Sequence, residues 1–222
     1  MDRAEDRTTE KVIAVARKLS GFHIAAPDLP WRRYRTPYRV FLAEFLLVRT
    51  RSDVVAALFE DIVTRFPDLE SLASADEREI GTVLEPLGLR KRVPYLKKAA
   101  KYLLEHHGGR IPKTVEELKK VPGLGDYTAA AVAAFAYNAA TIPADVNILR
   151  FLSRLTGLPM EHATKGSAKL RSLLPLLSPS RGGPRPETLL DFCRLICRPR
   201  RPRCDECPLT RECEYAHRSA VP

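Results

Sequence analysis

The sequence predicts an all-α protein, and three observations carry that prediction. Apolar residues recur at helical spacing in one segment after another. No segment alternates apolar and polar residues as a half-buried strand would. Proline and glycine punctuate the joints between the segments. With 222 residues the chain can form one large domain or two small ones around a real core.

Each element has its own signal. Residues 9–20 place Val12, Ile13, Val15, Ala16 and Leu19 on one helical stripe. A proline-bearing connector, AAPDLPWRRYRTPY, separates it from RVFLAEFLLVRT at 39–50, which is apolar almost all round and therefore a central buried helix. Val54 to Phe66 forms the next helix and stops before Pro67. DLESLASADEREIGTVLEPLG gives two short helices, interrupted near Ser74 and Gly88. Val93 to His106 runs helically into Gly108–Gly109. Thr114 followed by Glu117 is a capping-box pattern, so a short helix spans 114–120 and enters a turn at Pro122. A helix over 126–138 follows that turn, and further helices are expected at 146–156, 166–177 and 186–196. The Pro-, Arg- and Gly-rich stretches at 178–186 and 198–203 read as surface loops.

Composition narrows the function classes. Apolar residues make up 45% and charged residues 29%, as in an ordinary globular protein. No apolar run approaches the roughly 18 residues of a membrane helix, and the charged N-terminus lacks a signal-peptide core. A cytoplasmic, monomeric protein with no membrane partner is expected. Thirty-seven Lys and Arg against 27 Asp and Glu give a net charge of +10, which suits a polyanion such as DNA without demanding one.

The most unusual local stretch is VPGLGDYTAAAVAAFA at 121–136. Its glycines can adopt positive φ and admit a second backbone closely. The helix that follows begins with unpaired N–H groups and the positive end of its dipole, an arrangement suited to a phosphate. The alanines let neighbouring helices approach, so this helix is buried. A plain helical hairpin with a glycine turn would read the same way.

Four cysteines crowd the C-terminal region as C-x6-C-x2-C-x5-C: Cys197, Cys204, Cys207 and Cys213. Thiolates at such intervals suit a tetrahedral metal ion or an iron–sulfur cubane, and disulfides do not belong in a reducing compartment. The chemistry alone leaves zinc and [4Fe–4S] open. Cys193 is a spare, expected to be a small buried hydrophobe.

From about Leu29 to about Tyr215, in order and spacing, the chain resembles the endonuclease III superfamily of helix-hairpin-helix DNA glycosylases. The resemblance implies a two-domain fold: a six-helix barrel bearing the hairpin over 28–139, and a helical iron–sulfur domain formed by 1–27 with 140–222. It selects a [4Fe–4S] cluster for the four cysteines and double-stranded DNA as the partner, with a cytoplasmic, nucleoid-associated location. Gly123, Gly125 and Thr128 fall where the family's hairpin grips DNA.

Three positions carry the chemistry that the resemblance implies. Asp145, in IPADVNILRF, stands at the start of a helix twenty residues after Gly125, where a carboxylate stabilises the charge developing on the sugar or activates water. Read alone, it is an N-cap. Glu44 is the only charge between Arg39 and Arg49, and burial would make it a proton donor near neutral pH. Its alternative is an ion pair with an arginine such as Arg49. Tyr127 occupies the place of the lysine that gives family members lyase activity; a phenol forms no Schiff base, so a monofunctional enzyme is expected. Lys91 and Lys165 are conceivable substitutes that nothing in the sequence supports. Arg49 matches the residue that fills the gap left by an extruded base, and Leu89 matches the wedge, although core packing explains Leu89 as well. Arg90, Lys91 and Arg92 would face phosphates.

The GDYT run resembles the mismatch-specific thymine glycosylases. The adenine branch carries a further C-terminal reader of 8-oxoguanine, whereas this sequence stops nine residues after Cys213, and it has DVN where that branch tends to DGN. Thymine or uracil opposite guanine is therefore the expected target. Adenine opposite guanine or 8-oxoguanine, hypoxanthine, and a non-catalytic iron–sulfur damage sensor are the alternatives.

Overall fold

Proline and glycine punctuation translates directly into helix ends. In the computed structural model, residues 3–25, 27–160 and 168–219 are described, and among them every regular element is helical. The chain divides into two units, Asp28–Ala139 and Met1–Pro27 with Ala140–Pro222.

Helix α1 (Arg3–Ser20) begins six residues before the expected start. It buries Val12, Val15, Ala16 and Leu19, the stripe its sequence displays. The connector then enters the Asp28–Ala139 unit through α2 (Pro30–Arg33), whose Trp31 packs edge-on to Phe59 with ring centroids 5.2 Å apart.

Helix α3 (Pro37–Leu46) starts before residue 39 because Thr36 Oγ1 accepts the Arg39 N–H and Pro37 occupies the first turn. It ends at Leu46 rather than at residue 50. Its residues 40–46 are buried without a break, and Phe41 and Phe45 are completely enclosed. A buried phenylalanine contributes about 2 kcal/mol. Helices α4 (Ser52–Arg65), α5 (Leu69–Ser74) and α6 (Glu77–Leu84) follow, and Asp68 caps α5 by accepting the Ser71 N–H at 2.8 Å. Two short 3₁₀ turns, Glu85–Leu87 and Arg90–Arg92, lead into α7 (Val93–His107), which stops where Gly108 turns left-handed at φ 56°. Helix α8 (Val115–Leu118), capped by Thr114 as its sequence predicts, is shorter than the 114–120 expected. Helix α9 (Asp126–Tyr137) packs against α3 and α8 and hides seven of its twelve residues, chiefly alanines. Small side chains permit that approach.

In the other unit, α10 (Val146–Thr156) packs against α11 (Ala168–Ser172), α12 (Pro186–Leu195) and α13 (Glu214–Ser219). The helix expected over 166–177 is split: α11 gives way to a 3₁₀ turn at Leu174–Leu177, where Pro175 removes a donor. Residues 166 and 167, and Lys165, lie outside the described residues. No described helix is long and apolar enough to cross a membrane.

Candidate active site

The VPGLG turn assigns its two glycines different tasks. Gly123 has φ 83°, and a Cβ there would lie 3.1 Å from both Phe45 Cε2 and Tyr95 Cβ. Only glycine fits that conformation and that gap. Gly125 is the N-cap of α9, with φ −89° and ψ 177°, and a Cβ would meet nothing within 4 Å. It is exposed, and the backbone it presents is the start of α9, where the first N–H groups have no carbonyl four residues behind them. Asp126, in this first turn, places a carboxylate at the mouth, and Lys119 Nζ pairs with it at 2.8 Å. Thr128, expected to meet DNA, is instead 4% exposed on the inner face of α9, where the packed helix withholds its side chain from solvent.

Glu44 is 5% exposed in α3, the helix that packs on α9, whose first turn carries the half-buried Tyr127. Arg49 is exposed, and Glu44 has a polar partner of its own. The Arg49 backbone is left-handed at φ 63°, an uncommon conformation for a residue with a side chain. Leu89 packs in the core at 6% exposure, the apolar side of the choice its sequence posed. Arg90 and Lys91 beside it are exposed. Arg92, expected to face phosphates with them, turns inward: its Nη2 donates to Gly123 O at 3.4 Å and its guanidinium lies 4.4 Å from the Phe45 ring centroid.

In the other unit, Asp145 is the N-cap of α10. Its Oδ1 accepts the Asn147 N–H at 2.6 Å, and Oδ2 accepts nothing among the described residues. The cap interaction thus occupies one oxygen of a half-buried residue. Farther along α10, Arg150 and Arg154 hold the cysteine loop. Arg150 Nη1 donates to Asn147 Oδ1 at 2.9 Å, and its Nη2 donates to Cys193 O at 2.9 Å and Cys197 O at 2.8 Å. Arg154 Nη1 donates to Arg198 O at 2.6 Å, its Nη2 donates to Pro199 O at 3.0 Å, and its guanidinium stacks on Tyr215. The ILRFLSRL run shows this i, i+4 arginine pair. Nothing in it shows that both point at the loop.

Cys197, Cys204, Cys207 and Cys213 all line one small cavity of about 30 Å³, walled by Phe151, Phe192, Ile196 and Leu209. Burial pushes the Cys207 thiol up to about 11 and raises Cys204 as well, so these sulfurs are protonated unless a bound cation displaces the protons. Among the described residues, no three His, Cys, Asp or Glu side chains close on one point as a single ion requires. Four thiols lining one apolar cavity are a donor set that suits a zinc ion or an iron–sulfur cluster. Cys193 is fully buried in α12, and burial raises its pKa.

Comparison with known proteins supplies the family. The HhH-GPD superfamily of base excision DNA repair proteins matches residues 42–176. The chain is 35% identical over 194 residues to a thymine-DNA glycosylase of Aeropyrum pernix, covering 85% of this chain and 86% of that one. It is 30% identical over 216 residues to a thymine/uracil-DNA glycosylase of Methanothermobacter thermautotrophicus, covering 95% and 97% respectively. A solved structure of a thermostable thymine-DNA glycosylase superposes with a TM-score of 0.80 at 25% identity, covering 97% of this chain and 99% of that one.

Proposed function

Because the chain belongs to the HhH-GPD superfamily of base excision DNA repair proteins, we propose that it is a monofunctional DNA glycosylase. It hydrolyses the N-glycosidic bond of thymine or uracil opposite guanine and leaves an abasic site. The observation that carries this reading is a carboxyl buried at 5% exposure on α3, the helix that packs on the hairpin helix α9, a polar group placed where an extruded base could be hydrogen-bonded.

The turn at Gly123–Gly125 receives a phosphate through the N–H groups at the start of α9, without reading sequence. A mispaired nucleotide is cheaper to extrude than a paired one, and that difference supplies part of the selectivity. Glu44 then hydrogen-bonds the base and gives it a proton. The Oδ2 atom of Asp145, left over from capping α10, stabilises the cationic sugar or orients the attacking water. Arg49 enters the gap beside the orphaned guanine. Leu89 would have to leave the core to act as a wedge, so Arg90, already exposed on the same loop, is the better placed of the two. Tyr127 contributes a phenol where an amine would attack the sugar, so no imine forms and the backbone is not cut.

The four cysteines hold a [4Fe–4S] cluster, which when bound pins their loop and supplies no step of base release. That loop presents Arg200, Arg201 and Arg203, a basic segment suited to DNA, while Arg198 braces it by donating to Arg201 O. The protein acts as a monomer.

The test is a panel of duplexes with T·G, U·G, A·G, A·8-oxoguanine and hypoxanthine·T pairs, each incubated with protein and then treated with hot alkali. Alkali-dependent breaks at T and U opposite G are expected. Breaks without alkali would refute the role given to Tyr127, and release of adenine alone would move the protein to the adenine-specific branch.

A further inference from the structure

Arg92 touches three parts of the Asp28–Ala139 unit at once. It ends the 3₁₀ turn that carries Arg90 and Lys91, its guanidinium edge donates to Gly123 O at 3.4 Å, and its face lies 4.4 Å from the centroid of Phe45, the residue after Glu44. The hairpin turn has almost no slack on its other sides, since a Cβ on Gly123 would already stand 3.1 Å from Phe45 and from Tyr95. Arg92 adds a contact to Gly123 O from the side of the 3₁₀ turn.

We propose that Arg92 is a positioning residue that locks the hairpin turn and the 88–92 loop to the helix bearing Glu44, so that gripping the phosphate and extruding the base share one frame. This rests on the glycosylase reading given above.

Two details favour that role over simple packing. The Nε of Arg92 is buried and has no hydrogen-bond partner among the described residues. An apolar side chain would fill the same space without an orphaned donor, so packing alone does not explain an arginine here. The donor edge also offsets part of the negative charge of the Gly123 carbonyl, at the turn that would meet a phosphate. An ammonium can do one of these things but not both, because only a planar guanidinium stacks through its face while donating along its edge.

The test compares wild type, Arg92→Met and Arg92→Lys on a duplex carrying 2-aminopurine beside a G·T pair. Measured together are 2-aminopurine unstacking, single-turnover base release at saturating protein, thermal stability, and the salt dependence of binding to an undamaged duplex. Arg92→Met is expected to keep the wild-type salt slope, since Arg92 meets no phosphate. Unstacking and release should fall together by roughly 10- to 100-fold, the scale of an ångström-sized misplacement. Arg92→Lys should recover less than half of the lost rate, because the charge returns without the stack. The inference is overturned if Arg92→Met unstacks and releases at the wild-type rate, if the salt slope drops by about one, or if the loss only tracks the unfolded fraction. A wild-type protein that neither unstacks nor releases the mispaired base overturns the glycosylase reading and this inference with it. A competent wild type beside a competent Arg92→Met overturns the inference alone.

Discussion

Replacing Gly123 and Gly125 by alanine, one at a time, separates the architecture of the hairpin from its contact with DNA. At Gly123 the backbone sits at φ 83°, where an L-residue pays about 1–2 kcal/mol. The new methyl would press at 3.1 Å on the Phe45 ring and on Tyr95 Cβ, and overpacking of this kind costs about 1–3 kcal/mol. Loss of glycine's freedom in the unfolded chain returns about 0.4–1 kcal/mol. The net is about 1–4.6 kcal/mol, or a melting temperature lower by roughly 2–18 °C for a chain of this size. At Gly125 the dihedrals are ordinary and the space is open, so the change should stay within about 0.5 kcal/mol. Its effect falls instead on DNA, because the methyl would stand where a phosphate must meet the start of α9. Affinity for an undamaged duplex should drop by about tenfold, near 1.4 kcal/mol. Circular dichroism melting and fluorescence anisotropy at one fixed salt concentration read the two effects. If Gly125→Ala binds DNA as tightly as wild type, the turn is not a backbone phosphate cradle.

Two more substitutions probe the chemistry. Tyr127→Lys restores an amine in the first turn of α9, and borohydride should then trap a covalent protein–DNA adduct that wild type does not form; absence of the adduct would mean that the residue does not reach the sugar. Arg49→Gly removes a side chain from a left-handed backbone, a relief of about 1–2 kcal/mol offset by about 0.5–1 kcal/mol of chain entropy, so the protein should melt no lower while base release falls at least tenfold. A lower melting temperature would show that Arg49 is held there for stability.

The sequence and the structure agree most closely where a signal is local. The capping Thr114 acts within a few residues and appears where its chemistry requires, and the closely spaced cysteines line one cavity. The alanine run of α9 was legible for a related reason: so few side-chain atoms permit only close burial. Facing was harder to read. Thr128 and Leu89 belong to stretches whose spacing fits a DNA contact as well as a core position, and packing decided for the core. Arg90, Lys91 and Arg92 are consecutive cations in the sequence, yet the 3₁₀ turn rotates the third inward onto Phe45. Arg150 and Arg154 stand four residues apart on α10. Their target, the carbonyls around Cys197, lies more than forty residues away in the chain.

Asp145 brings local and distant determinants onto one side chain, and its two roles can be pulled apart. As N-cap it accepts the Asn147 N–H through Oδ1, while the Asn147 side chain accepts from Arg150, which in turn grips the carbonyls of Cys193 and Cys197. The cap therefore belongs to a hydrogen-bonded chain that reaches the cysteine loop, and deleting it should loosen more than one turn of helix. Asparagine caps about as well as aspartate, so Asp145→Asn should melt within about 2 °C of wild type, losing only the small charge–dipole contribution. Asp145→Ala forfeits the cap, about 1 kcal/mol and roughly 2–4 °C. In base release both should fail alike, by at least about 10²-fold, since neither retains the charge that a cationic sugar demands. Asp145→Asn that releases base like wild type would leave this residue a cap and nothing else. Asp145→Asn that fails only in step with its melting temperature would assign the whole effect to structure. Stability that separates asparagine from alanine, with activity that does not, is the signature of one carboxylate working through both oxygens.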